Sequence, residues 1–161
     1  MMFAKRNKRR DGRTHERNRS SERACDEVIT WAEVSRTHRV RNGVYQRGGR
    51  LVSLLTDFGR INPCYPDRFA EDDPDRIIYT GAGRHGDQHL TPANRALLSA
   101  IESGHAVPLF NKLGTGRWQH TGLWRVTHAE HRFDERERRM LWRFTLKRVS
   151  GREPDRRGGR K

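Results

Sequence analysis

Apolar positions in the central part of this chain change period several times, and each change marks an element. Ile77-Ile78-Tyr79 is a β-branched and aromatic run that reads as a buried strand, and Thr80-Gly81-Ala82-Gly83 breaks it with two residues at ease at positive φ. After the polar pair Asp87-Gln88, Thr91 takes an N-cap position before Pro92. Ala93, Leu97, Ala100 and Ile101 then recur at helical spacing until Gly104 closes the helix. Upstream, residues 44–46 and 51–55 read as two strands joined at Arg47-Gly48-Gly49-Arg50, a hairpin with positive charge at its tip. Downstream, residues 105–110 and 123–128 read as strands. Residues 140–147 alternate, with Met140, Trp142, Phe144 and Leu146 on one face.

Three segments read differently. Residues 26–34 have the spacing of a short helix, with Val28 and Trp31 on one side, placed to cover the core. Residues 62–76 form a proline-rich, acidic loop, and residues 130–139 a charged hairpin tip or loop. Several strands, one central helix and short connections predict an α+β domain built on a curved sheet or partly closed barrel with helices against it.

Composition confines the folded part. Residues 1–24 hold nine Lys or Arg and three acids with almost no apolar side chain, too little to offset the entropy of ordering. Residues 150–161 add five bases and two acids, so residues 25–149 are expected to be the folded domain between two basic, disordered tails. The tails hold +9 of the net +14 (14 bases minus 5 acids), and the domain +5 (20 minus 15). Such a charge points to a polyanion, with nucleic acid the natural partner. No run of about eighteen apolar residues is present, so no membrane partner is expected. The N-terminus has no apolar stretch of the secretory type, and Cys25 and Cys64 are too few for a disulfide framework or a four-ligand zinc site. A cytoplasmic, nucleoid-associated protein is the expectation.

The motif order carries more. Tyr79-Thr80-Gly81-Ala82-Gly83, then Asp87-Gln88-His89-Leu90-Thr91, then Asn94-Arg95-Ala96-Leu97 resembles the SRA (SET- and RING-associated, or YDG) domain family. The segments 104–108, 122–126 and 141–148 continue the resemblance in order. It implies a PUA-like barrel fold and a reader of 5-methylcytosine, with 5-hydroxymethylcytosine as a second candidate, in double-stranded DNA. The resemblance also implies that the modified base is flipped out of the duplex into an aromatic and acidic pocket.

By that resemblance Tyr79 and Tyr65 are the rings that sandwich the base, Asp67 accepts from the cytosine amino group, and the backbone of Thr80 and Gly81 reads the ring. Glu71-Asp72-Asp73-Pro74-Asp75 also resembles the acidic run before the Tyr-Thr-Gly strand, which leaves Phe69, Asp72 and Asp73 as the alternative ring and acids. Arg47, Arg50, Arg84, His85 and Gln88 are candidate contacts to the DNA backbone or duplex, while Asp87, Gln88 and Asn94 also suit turn and helix capping. Two departures stand out: the turn at Arg84-His85 is shorter than in the vertebrate domain, and His120-Thr121-Gly122 replaces Tyr-Asp-Gly.

No catalytic, metal or cofactor residues are expected, and no small-molecule substrate. Pro66-Asp67 and Pro74-Asp75 are followed by no acid-x-Lys, and His128 with His131 lacks a nearby third ligand. A separate nuclease or regulator is the expected partner for any downstream effect. An RNA-binding PUA-like protein and a modification-dependent nuclease are the other readings.

Overall fold

The computed structural model describes residues 27–149, and the two tails expected to be disordered lie outside them. Eight strands form one sheet: β1 (Val28–Ile29), β2 (Val44–Arg47), β3 (Arg50–Thr56), β4 (Arg68–Ala70), β5 (Asp73–Thr80), β6 (Ala106–Gly114), β7 (Arg117–Asp134) and β8 (Arg139–Val149). Two helices complete it, α1 (Trp31–Val34) and α2 (Pro92–Ser103). The strands run in the order β2-β3-β6-β7-β8-β5-β4, with β1 beside β7, and only the β3–β6 pair is parallel.

The sheet curls into a half-barrel, and side chains rather than a ladder draw its two ends together. On the sheet path β3 and β5 are separated by β6, β7 and β8. Yet the Tyr79 hydroxyl on β5 donates to the carbonyl of Leu55 on β3 at 2.8 Å and to that of Gly43 at 3.2 Å. Past β3, the Phe58 ring stacks on Phe69 of β4 at 4.7 Å. Inside the curl, Leu54, Ile77, Tyr79, Leu97, Leu109, Trp124, Phe144 and Leu146 form the main core.

Helix α2 has the ends its sequence dictates: Thr91 Oγ1 accepts from Asn94 N at 3.3 Å, Pro92 starts the helix, and Gly104 ends it at φ 66°. At the β2–β3 turn Gly48 and Gly49 both have positive φ, 58° and 85°, as a tight two-residue hairpin requires.

Three expectations are corrected. Residues 26–34 do not form one helix, because Val28-Ile29 pairs with Gln119 and Trp118 of β7 and the Thr30 side chain caps only a single turn. That turn packs Val34 against Phe110 and Trp118, the sheet face opposite Leu109. Residues 62–76 are not all loop: β4 and the first half of β5 lie within them, and Arg148 of β8 pairs with Asp75 at 3.0 Å. Residues 130–134 and 139 are ladder, in which Glu130 lies opposite Arg143 and Asp134 opposite Arg139, and the turn is confined to residues 135–138.

Candidate functional site

The open end of the half-barrel is a cavity of about 650 Å³. Asp67, Phe69, Phe58, Asn111, Gln119 and Thr121 line it, with Arg60, Arg68 and Arg148 among them as the positive charges. Its only carboxylate is Asp67, which is 5 % exposed. One carboxylate oxygen accepts the Thr56 hydroxyl at 2.7 Å and the other the Thr80 backbone N–H at 2.6 Å. Burial pushes this carboxyl up to about 7, against the pull of those hydrogen bonds and of the Arg143 charge. The Thr80 hydroxyl also bonds to it, and four lone-pair sites on a carboxylate with three protein donors leave room for one more on Asp67.

Two arginines of β8 hold the acid-bearing loop from behind. Arg143 donates to the Pro66 carbonyl at 3.0 Å and to the Thr80 hydroxyl at 2.5 Å. Arg139 is 6 % exposed and donates to the carbonyls of Gly83 and Gly86 at 2.7 and 3.0 Å and of Cys64 at 2.8 Å. It therefore ties the 64–67 loop to the glycine turn. Gln88 and Asn94 fix the other side of that turn: Gln88 donates to Gly81 and Gly83 and accepts from Trp142 N, and Asn94 brackets Ala82.

Residues 38–157 match the family model described as ScoMcrA-like, SRA domain. This chain belongs to that family. Among solved structures, the SRA domain of SUVH5 in complex with methylated CHH DNA is similar at 25 % identity over 80 % of this chain and 90 % of that one, with a TM-score of 0.63. The same domain bound to fully hydroxymethylated CG DNA gives 22 % identity over 78 % and 88 %, with a TM-score of 0.61. The modification-dependent TagI restriction endonuclease shares the fold at 19 % identity and a TM-score of 0.61, covering 75 % of this chain and 47 % of that one. No curated protein sequence matches. The half-barrel is thus the PUA-like fold of SRA domains.

Within this SRA domain the residues singled out in the sequence divide. Asp67, Tyr79, Tyr65 and Thr80 come together: Tyr79 feels the charges of Asp67 and Tyr65, and Thr80 binds Asp67 directly. Tyr79, however, is 3 % exposed and belongs to the main core, with burial raising its phenol well above the usual range. Tyr65 is half-buried and bonds to the Gly83 backbone; burial raises its phenol, and Arg139 and Arg84 oppose that rise. Neither tyrosine lines the cavity. Phe69 does, at 43 % exposure.

Gly81 is bare for a packing reason. A Cβ there would lie 2.7 Å from Asn94 Oδ1 and 2.8 Å from Trp142 Cβ, while its N–H and C=O are taken by Trp142 and Gln88. Gln88 itself is 1 % exposed with its amide fully engaged, which corrects its assignment as a duplex contact. Arg47, Arg50, Arg84 and His85 are exposed, as are Asp72 on the β4–β5 turn and, in part, Asp73. Asp72 and Asp73 do not line the cavity.

Phe58, Arg139, Arg143 and Asn111 also act at or behind the cavity and carry no site motif in the sequence. Phe58 sits at φ 53°, a left-handed conformation rare for an aromatic residue, in a loop braced by Asp57. Among the described residues no group of three or more His, Cys, Asp or Glu converges as a metal site, and no helix is long and apolar enough to cross a membrane.

Proposed function

We propose that this SRA domain recognises 5-methylcytosine in duplex DNA by taking the flipped base into the cavity at the open end of its half-barrel, and that it binds without cutting. The observation that carries this reading is Asp67, a buried carboxyl at a cavity rimmed by arginines and flanked by the Phe58–Phe69 aromatic pair. Flipping costs a few kcal/mol of stacking and pairing. Stacking on an aromatic face returns about 1–3 kcal/mol per base, and a charge-assisted hydrogen bond from the cytosine amino group adds to it.

In this reading Asp67 accepts from the amino group, and Phe69 offers the exposed ring. Tyr79, Thr80 and Gly81 form the floor that holds Asp67 in place, and Tyr65 braces the glycine turn. Arg84 and His85, with Arg47 and Arg50 of the hairpin, meet the duplex, and the basic tails supply salt-dependent affinity. The DNA-bound SUVH5 domains support the ligand class. TagI supports a setting in which such a domain works with a nuclease, here a separate nuclease or regulator.

Competition binding at physiological salt tests the proposal, using duplexes that differ only in one cytosine, unmodified or 5-methylated. The methylated duplex should compete at least several-fold better, and structured RNA should not match it. Equal competition by both duplexes rejects the reading, and cleavage of methylated plasmid with Mg²⁺ or Mn²⁺ rejects the claim of binding alone.

A further inference from the structure

The cavity holds a second polar element besides Asp67. Asn111 on β6 is 7 % exposed and lines the cavity, but its amide is incompletely satisfied. Nδ2 reaches Gln119 Oε1 only at 3.5 Å, and Oδ1 is buried with no hydrogen-bond partner. Turning the amide over exchanges the two atoms and still leaves one of them unpaired. A buried unsatisfied polar atom is an exception in native proteins and costs about 1–3 kcal/mol.

Among the described residues one other buried side-chain atom, Trp142 Nε1, lacks a partner, and it does not line the cavity, whereas other polar side chains of the sheet are satisfied. Thr121 donates to Leu109 O at 2.8 Å and accepts from Trp124 Nε1 at 3.0 Å. His38 is bonded through both ring nitrogens, to Ser53 and to the Asn42 carbonyl. Asn111 follows Leu109 and Phe110, both packed in apolar clusters, where an aliphatic residue would serve packing better.

Register ties Asn111 to the acid. Asn111 is the partner of Thr56 in the parallel β3–β6 pair, and the Thr56 hydroxyl donates to Asp67. Adjacent strands lie about 4.8 Å apart, so Asn111 stands beside the Thr56 that holds Asp67, and both residues line the same cavity. On cytosine the amino group and the C5 substituent sit on adjacent ring carbons, so a base whose amino group meets Asp67 turns its C5 substituent toward the same side of the cavity.

We propose that Asn111 is a specificity-determining residue that accepts a hydrogen bond from the hydroxyl of 5-hydroxymethylcytosine, so that this domain prefers the hydroxymethylated base to the methylated one. The inference rests on the base-in-cavity reading above and extends it to the C5 substituent. A methyl group leaves the amide unpaired, whereas a hydroxymethyl group supplies the missing donor.

The test is competition binding with the full chain and three duplexes carrying cytosine, 5-methylcytosine or 5-hydroxymethylcytosine at one position. The wild type should favour the hydroxymethylated over the methylated duplex by about fivefold to tenfold, the worth of one satisfied buried hydrogen bond. Asn111→Leu should bring that ratio to one or below while methylated still outcompetes unmodified duplex. Asn111→Ala, which removes the amide without adding bulk, should do the same if the leucine variant fails to fold. Equal wild-type affinity for the two modified duplexes, or a ratio unchanged by either variant, overturns the role of Asn111. A wild type indifferent to all modification overturns the base-recognition reading itself.

Discussion

Asp67 accepts the Thr80 backbone N–H at 2.6 Å, so the acid of the loop after β3 is pinned to the end of the strand that leads into the glycine turn. The Thr56 hydroxyl fixes its other oxygen, and Arg143 braces the loop from β8 through the Pro66 carbonyl. Three other parts of the chain, β3, the end of β5 and β8, thus converge on one carboxyl and its loop. A group so held loses little further entropy when it receives a ligand, which is the advantage of a preformed site.

The same burial makes Asp67 a pH-dependent liability. Its carboxyl is raised from the ordinary 3.8 to about 7, so between those values the folded state binds more protons than the unfolded. The contribution of Asp67 to stability is therefore full below the unfolded value and is lost as pH rises through about 7. Thermal unfolding of the wild type should show this loss, on the order of a few kcal/mol, across that window. Asp67→Asn does not titrate, and the difference between the two proteins should level off at alkaline pH. A difference that does not vary with pH would contradict the assignment.

Phe69 and Tyr79 should separate binding from stability. Phe69→Ala removes a ring that is 43 % exposed and should change stability by less than about 1 kcal/mol while abolishing preference for modified cytosine. Tyr79→Phe leaves the Leu55 and Gly43 carbonyls without their donor and should cost about 1–3 kcal/mol with the preference retained. Urea denaturation beside competition binding checks both. Loss of preference in Tyr79→Phe, with Phe69→Ala unaffected, would return the stacking role to the tyrosine.

Arg139 is a positioning residue with three carbonyl partners. Arg139→Ala should destabilise the domain by about 1–3 kcal/mol, since three part-buried carbonyls lose a charged donor. Hydrogen exchange should rise first in residues 64–67 and 83–88. Uniform exchange over the whole sheet would argue against a local clamp.

Gly81→Ala should destabilise by about 2 kcal/mol or more, because the new methyl meets Asn94 and Trp142 rather than open space. Chemical denaturation reads this directly. An unchanged midpoint would mean that the turn relaxes and that the glycine serves another purpose.

What could be read from the sequence was local. The ends of α2 follow from Thr91, Pro92 and Gly104, each acting within one turn, and the β2–β3 hairpin follows from two adjacent glycines. Asp73-Pro74-Asp75 argues against a strand by every local preference, yet β5 begins there because Asp73 pairs with Ala70 of β4, and Arg148 of β8 meets Asp75. The charged segment between β7 and β8 has no apolar alternation to mark it as strand, and its ladder appears only once β7 and β8 are paired. At the candidate site, the motif names Asp67 and Thr80, which the structure places in direct contact. Phe58, Asn111 and Arg139 come from segments with no motif of their own, and only the curl of the sheet brings them to the acid.

The most direct measurement is the structure of this domain with a duplex containing one 5-methylcytosine. The account predicts the modified base outside the helix stack, with its amino nitrogen about 3 Å from the Asp67 carboxylate. A modified base that stays paired within the duplex, or one that is flipped but enclosed by residues away from Asp67, would contradict it.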